Sequence, residues 1–206
     1  MYDGETNRRS QNERTAATIA RLLDATISAI VEIGYSRATV REICARAGVS
    51  QGGLFRHFPT RKDLLVATLA ELHERQIAAM SEAASHTDAH AAIARMRDVI
   101  NAPDTTVWLE LCVAARTDTE LGAGLRPLLA QHHERLRRIA EKHPGFAALS
   151  TESQSIWLDI AERVFQAEAL WRQMAPPPDL GEARLDALIA LLDLLPKSDV
   201  PTRGAG

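Results

Sequence analysis

Apolar residues along the chain recur at intervals of three and four and nowhere alternate with the period of two that marks a half-buried strand. The pattern predicts an all-α protein of about nine helices. From about Glu13, a single stripe of Ile19, Leu22, Leu23, Ile27, Ile30 and Val31 marks the first helix, and Gly34 supplies a left-handed stop. Thr39 is placed to cap a second, short helix ending at Ala47, with Glu42 at the reciprocal position of a capping box. Gly48 stops it, and Ser50 caps a third short helix that runs to Phe58. Pro59 closes that helix, and Thr60 opens a long fourth one in which Leu64, Leu65, Leu69, Leu72 and Ile77 keep helical spacing toward Ser85. Further helices are expected near Thr87–Asn101, Asp104–Arg116 and Leu121–Lys142, the last bent or restarted at Pro127 because proline lacks the amide donor. Thr151 with Gln154 reads as another capping box, opening a helix that the Pro176-Pro177-Pro178 run ends after Met174. Asp179 with Glu182 opens the final helix, and Pro201–Gly206 reads as a frayed tail.

Composition narrows the class without changing it. With 206 residues, 46% hydrophobic and 25% charged, the chain is neither disordered nor collagen-like and fits one large or two small domains. Apolar runs such as Ala187–Leu192 fall far short of the roughly 18 residues of a membrane span, and the polar start MYDGETNRRSQNER has no signal-peptide core. Two cysteines, Cys44 and Cys112, make no disulfide framework, so a reducing, cytoplasmic location is the default.

Charge changes the picture more. Residues 1–62 hold ten Lys/Arg against six Asp/Glu, and residues 63–206 hold fourteen against twenty-one. Between Ser36 and Lys62 the basic side chains Arg37, Arg41, Arg46, Arg56, Arg61 and Lys62 are opposed only by Glu42. A basic module on an acidic body suits a polyanion partner, although a solvated charged face would give the same count. The local pattern decides between them. Two short helices joined by a Gly-containing turn in a basic region meet the requirements of a helix-turn-helix, whose second helix enters the major groove. Ile43, Ala47, Val49, Leu54 and Phe58 fall on the inward side, leaving Arg41, Ser50, Gln51, Gly52, Gly53, Arg56 and His57 outside. Adjacent glycines early in a helix cost about 1 kcal/mol each against alanine, which suggests that another surface approaches there closely.

The segment TVREICARAGVSQGGLFRHFPTRKDLL resembles the DNA-binding signature of the TetR family of one-component bacterial regulators, over roughly residues 13 to 70. The resemblance implies a homodimer on a near-palindromic double-stranded DNA operator and release by a small-molecule effector. It also implies an N-terminal three-helix DNA-binding domain, residues 1–62, and a larger helical effector-binding and dimerisation domain, residues 63–206. By position, Thr39 and Arg41 would touch phosphates or groove edges, Ser50, Gln51, Gly52 and Gly53 would face the bases, and Arg61 would hold a phosphate. The chain departs from the pattern at Gln51, where many relatives have Lys, and at Gly53, where many have Ser or Thr. Phe55 replaces a common Tyr and lacks its hydroxyl, which leaves it an anchor, and His57 stands where another aromatic donor is common. Gln51 is suited to an adenine edge, and Arg41, Arg56, Arg61 and Lys62 form the expected phosphate set, with salt-sensitive affinity.

Beyond the motif, Trp108, Leu111, Cys112, Phe165, Glu168, Trp171 and Met174 are candidates to line an effector cavity, with Glu110, Arg116 and Arg172 as further polar ends. Plain core is the competing reading for the apolar ones. Ile156, Ile160, Val164 and Trp171 make one apolar stripe, and Leu185, Leu188, Ile189, Leu192 and Leu195 another, so that two helices from each of two chains would form a shared four-helix core. The competing reading packs both stripes within one chain. His86 with His90, and His132, His133 and His143, raise a metal sensor, but no carboxylate or cysteine completes a ligand spacing. Cys112 beside Leu111 and Val113 reads as buried, which disfavours a reactive thiolate. No GxSxG, GxxxxGK or HExxH spacing occurs, so no enzyme and no cofactor is expected. The reading is a transcriptional repressor in which a ligand tilts the long fourth helix and shifts the recognition helices from their ~34 to 36 Å spacing. Its alternatives are a DNA-associated helix-turn-helix protein without an effector pocket, or a metal or redox sensor.

Overall fold

The computed structural model describes residues 3–83, 88–174 and 180–198, which form ten helices. The helices are α1 (Asp3–Ile33), α2 (Val40–Ala47), α3 (Gln51–His57), α4 (Arg61–Ala83), α5 (Ala89–Ile100), α6 (Thr105–Ala115), α7 (Thr119–Ala140), α8 (Pro144–Ala147), α9 (Thr151–Met174) and α10 (Gly181–Leu194). Among the described residues the only strand-like pairing is an isolated bridge between Leu149 and Lys197.

The helices group into two compact units. Residues 1–73 and 106–128 make the first, and residues 74–105 and 129–206 the second. The expected division at residue 62 is therefore not where compactness divides the chain. The beginning of α4, most of α6 and the beginning of α7 pack with the helix-turn-helix, and α4 runs without Gly or Pro from the first unit's residues into the second's. In the first unit Leu22, Ile30, Ile43, Leu54, Leu64, Leu65, Leu69, Leu111 and Leu121 are fully buried. The second has a contiguous core that includes Ile77, Ile93, Leu136, Phe146, Trp157, Phe165, Leu185, Leu188 and Leu192. The Trp157 indole N–H donates to the Leu188 carbonyl at 2.9 Å, which satisfies the ring's one polar group inside that core.

Helix boundaries differ from expectation where the signal was non-apolar or one residue off. α1 begins at Asp3 and not near Glu13, a polar extension that adds no apolar stripe. α7 begins at Thr119, with the Leu121 amide donating to Asp118, and continues through Pro127 without restarting. The cap of α9 is Ser150, whose hydroxyl accepts from the Ser153 amide at 3.2 Å. Gln154 is turned inward instead, donating to the Phe146 and Leu149 carbonyls. α8 has no counterpart in the apolar pattern of the sequence. Ser85, His86, Thr87, Pro176–Pro178, Asp179 and Pro201–Gly206 lie outside the described residues, so the readings that rest on them lie outside as well.

The turn between α1 and α2 sets the direction in which the helix-turn-helix leaves α1. Glu110 of α6 accepts a hydrogen bond from the Tyr35 amide. On the other side the Arg61 guanidinium, at the start of α4, donates to the Tyr35 and Ala38 carbonyls at 2.9 and 3.2 Å and lies 4.5 Å over the Tyr35 ring. The carbonyls are otherwise orphaned at a helix exit, and a charged donor to them is worth more than a neutral one. Arg61→Ala is expected to destabilise the protein by roughly 1 to 3 kcal/mol in urea unfolding, whereas Arg41→Ala is expected to stay within about 0.5 kcal/mol. Equal effects would contradict a structural role for Arg61.

Candidate nucleic-acid interface

Local chemistry builds the helix pair residue by residue. Thr39, in extended backbone, caps α2 by accepting from the Glu42 amide at 3.3 Å. The Glu42 side chain does not return the bond: its carboxylate accepts from Arg46 at 2.8 Å, and Arg46 also reaches Glu32 at 2.7 Å. Gly48 ends α2 at φ 63°, where a side chain would be strained. Ser50 then caps α3 by accepting from the Gly53 amide at 3.1 Å. The two helices are held by Ile43, Cys44, Ala47, Leu54 and Phe58, all buried, with Val49 partly buried. Burial also raises the Cys44 thiol above its ordinary range, leaving it inert.

The two glycines of α3 have different reasons. A Cβ on Gly53 would meet a Val49 methyl at 2.9 Å and the capping Ser50 hydroxyl at 3.3 Å, so its smallness serves the turn and requires no external surface. A Cβ on Gly52 would meet nothing within 4 Å. That leaves open space on the outward face, beside exposed Ser50, Gln51, Phe55 and Arg56. Phe55 is 43% exposed, high for a phenyl ring on a short helix. His57 is partly buried at the end of α3.

The expected phosphate set divides in two. Arg41 and Arg56 are exposed and have no ion-pair partner among the described residues. Arg61 and Lys62 are already engaged. Arg61 is spent on the Tyr35 and Ala38 carbonyls. Lys62 pairs with Asp118 at 3.4 Å and with Glu120, which hold its ammonium above the usual lysine range, Glu120 contributing most. Asp118 in turn is held below the usual carboxylate range, first by the Leu121 amide and further by Lys62. Arg37 is likewise turned back, donating to the Ile33 carbonyl at the end of α1. The face open to an anion is thus Thr39, Arg41, Ser50, Gln51, Gly52, Phe55 and Arg56.

The residues expected to line an effector cavity are divided between the two units. Trp108, Leu111 and Cys112 belong to the first unit, where Leu111 is core and Trp108 stacks at a tilt on His73 with centroids 5.6 Å apart. In the second unit Phe165 is fully buried core and Trp171 is 56% exposed. The Glu168 carboxylate is buried and already satisfied, accepting from Arg97 at 2.8 Å, Arg184 at 3.1 Å and Asn101 at 3.3 Å. Arg97 foremost holds it below the usual carboxylate range. Glu110 is bound to the Tyr35 amide, and Arg172 to Asn101 at 2.9 Å.

A cavity of about 90 Å³ does occur in the second unit, lined by Met80, Ala92, Met96, Ile139, Phe146 and Trp157 among others. These six residues come from distant stretches of the sequence, and none of them is among the candidates that the sequence pattern singles out.

Of the dimer candidates, Ile156 and Ile160 stand 42% and 38% exposed on α9 and Val164 is partly buried. Leu185, Leu188 and Leu192 are instead buried in their own subunit's core, which takes them off the surface a partner would meet. Among the described residues no group of three His, Cys, Asp or Glu side chains is placed to hold a metal. His90 pairs with Glu182 at 3.2 Å and His133 with buried Glu162 at 3.5 Å. Burial, the dominant influence, raises the Glu162 carboxyl above its ordinary range.

The family model for "Bacterial regulatory proteins, tetR family" matches residues 22–68, a span that contains all of α2 and α3. Over 189 residues the chain is 37% identical to an uncharacterized HTH-type transcriptional regulator of Mycobacterium bovis, covering 89% of this chain and 97% of that one. It is 32% identical over 134 residues to an HTH-type transcriptional repressor of Mycobacterium tuberculosis, covering 61% of this chain and 68% of that one. A crystal structure of a transcriptional regulator from Rhodococcus sp. Rha1 shares the fold with a TM-score of 0.69 at 23% identity, covering 84% of this chain and 95% of that one. A capped helix pair with an open outward face, and near full-length identity to a helix-turn-helix regulator, lead to one assignment: the chain belongs to the TetR family of bacterial regulatory proteins, DNA-binding transcriptional regulators.

Proposed function

We propose that the protein is a cytoplasmic, homodimeric repressor that holds a near-palindromic operator through the outward face of α3 and lets go when a small molecule binds. The observation that carries the DNA-reading part is the placing of exposed Arg41 and Arg56, without an ion-pair partner among the described residues, beside the open surface at Gly52 and Gln51. Arg41 and Arg56 supply phosphate contacts, and Gln51, with its amide free to donate and accept, reads a base edge. Residues 1–62 do the reading and residues 63–206 the sensing and pairing. Arg61 and Lys62 serve indirectly, by fixing the turn before α2 and the start of α4.

Repression is favoured by the repressor among the relatives, and effector control by the apolar cavity in the second unit. Dimerisation falls to α9, where Ile156 and Ile160 present branched apolar side chains to solvent at helical spacing. The uninterrupted α4 transmits the ligand's effect, since a helix without Gly or Pro tilts as a rod.

Selection from a random duplex pool tests the reading. An inverted repeat with half-site centres about one helical turn apart is expected, and a pool that stays random after several rounds would contradict it. On the selected duplex, Arg41→Ala and Arg56→Ala are each expected to flatten the slope of log affinity against log salt by about one, while Lys62→Ala leaves it unchanged. Ile160→Asp is expected to turn the dimer into a monomer in sedimentation, with loss of operator binding; a dimer that persists would move the interface elsewhere.

A further inference from the structure

The second unit's cavity has a polarity that its apolar lining conceals. Nearly all of its wall is aliphatic or aromatic, and Ala89, Ala92 and Ala140 make the room. Trp157 contributes only its ring, because its N–H is taken by Leu188, and it meets Phe146 edge-on with centroids 5.7 Å apart. Two lining residues break the pattern, and they are neighbours in sequence: Lys142 and His143, between α7 and α8. Lys142 is exposed, so its side chain reaches water while part of it lines the cavity. His143 stands before α8 but makes no side-chain cap there. Its Nε2 is buried and has no hydrogen-bond partner among the described residues. A buried imidazole nitrogen left unpaired costs free energy that a ligand atom recovers. No carboxylate lines the cavity, so nothing in the wall neutralises Lys142 or competes for the imidazole N–H.

We propose that this cavity is a ligand site for a small carboxylic acid with a short apolar tail. The tail fills the space among Ala92, Met96, Ile139 and Trp157. The carboxylate accepts from His143 Nε2 and lies within the field of the Lys142 ammonium. The cavity of about 90 Å³ found here is smaller than the apolar cavity of about 150 Å³ that holds benzene, which limits the tail to a few carbons. The chemistry excludes a cation, which would meet Lys142 with like charge, and disfavours a fully apolar guest, which would leave Nε2 unpaired. The identity of this site as the effector site rests on the repressor reading above; the binding itself does not.

Isothermal titration of the full-length protein with isovalerate, and with isovaleramide as its uncharged counterpart, tests the site. Saturable binding of isovalerate, at least tenfold tighter than the amide, is expected. His143→Leu should weaken it by about tenfold, the loss of one charge-assisted hydrogen bond. Lys142→Ala should weaken it less and remove most of its salt dependence. Ala92→Phe should abolish binding by filling the space, with an unchanged or raised melting temperature showing that the fold survives. Absence of isovalerate binding overturns the proposal, as does equal binding of acid and amide or retained binding by the Ala92→Phe protein. Fluorescence anisotropy on the selected operator separates the two readings. Isovalerate that binds without displacing DNA supports the site and contradicts effector control through it. DNA binding that persists when isovalerate fails to bind leaves the regulator standing and removes this ligand class.

Discussion

The Arg61 guanidinium, lying over the Tyr35 ring and bonded to the Tyr35 and Ala38 carbonyls, is the interaction on which the position of the helix-turn-helix depends. α1 ends at Ile33 and α2 begins at Val40, and the intervening residues leave carbonyls and amides that neither helix can pair. Glu110 takes the Tyr35 amide from α6, and Arg61 takes the carbonyls from α4. Opposite charges therefore grip one turn through its donor and its acceptors. A grip through the backbone fixes direction as well as proximity, so the axis of α2, and through it α3, is set relative to α1, α4 and α6. A second tie, Lys62 with Asp118 and Glu120, joins the start of α4 to the start of α7.

This arrangement divides the basic residues by task. A count of positive charge in the N-terminal segment treats Arg37, Arg41, Arg46, Arg56, Arg61 and Lys62 alike. Four of them are neutralised or committed within the protein: Arg37 on a helix-terminal carbonyl, Arg46 between Glu32 and Glu42, Arg61 on the turn and Lys62 on an acidic pair. The two that remain, Arg41 and Arg56, come from the N-terminal turn of α2 and the last turn of α3. Affinity for a polyanion should follow those two and not the total, because a counterion is released only where phosphate meets an uncompensated cation.

What was legible in the sequence was legible because it is local. Thr39, Gly48 and Ser50 act on amides or dihedrals within three residues of themselves, and each appears in the structure in the role its type implies. Gly53 is local too: Val49, four residues earlier, supplies the crowding that the glycine pair on its own suggests comes from an outside surface. The partners of Arg61 lie more than 20 residues away and those of Lys62 more than 50, beyond any periodic signal. The same holds for Glu110, whose importance comes from Tyr35, 75 residues earlier. α1 extends to Asp3 through a polar segment that offers no stripe to read, and α8 is a single turn opened by Pro144-Gly145, a pair that reads as loop. The cavity is least legible of all. Its walls are core residues by type, and what distinguishes them is the space their small neighbours leave.

The claim at the centre of this account is that the outward face of α3, presented by the clamped turn, enters the major groove. Methylation interference on the selected operator tests it directly, because N7 of guanine lies in the major groove and N3 of adenine in the minor. The account predicts interference at N7 in two clusters about one helical turn apart, with the Gln51→Ala protein losing base preference while keeping the phosphate-dependent affinity. Interference confined to the minor groove, or a pattern indifferent to Gln51→Ala and Arg56→Ala, would contradict it.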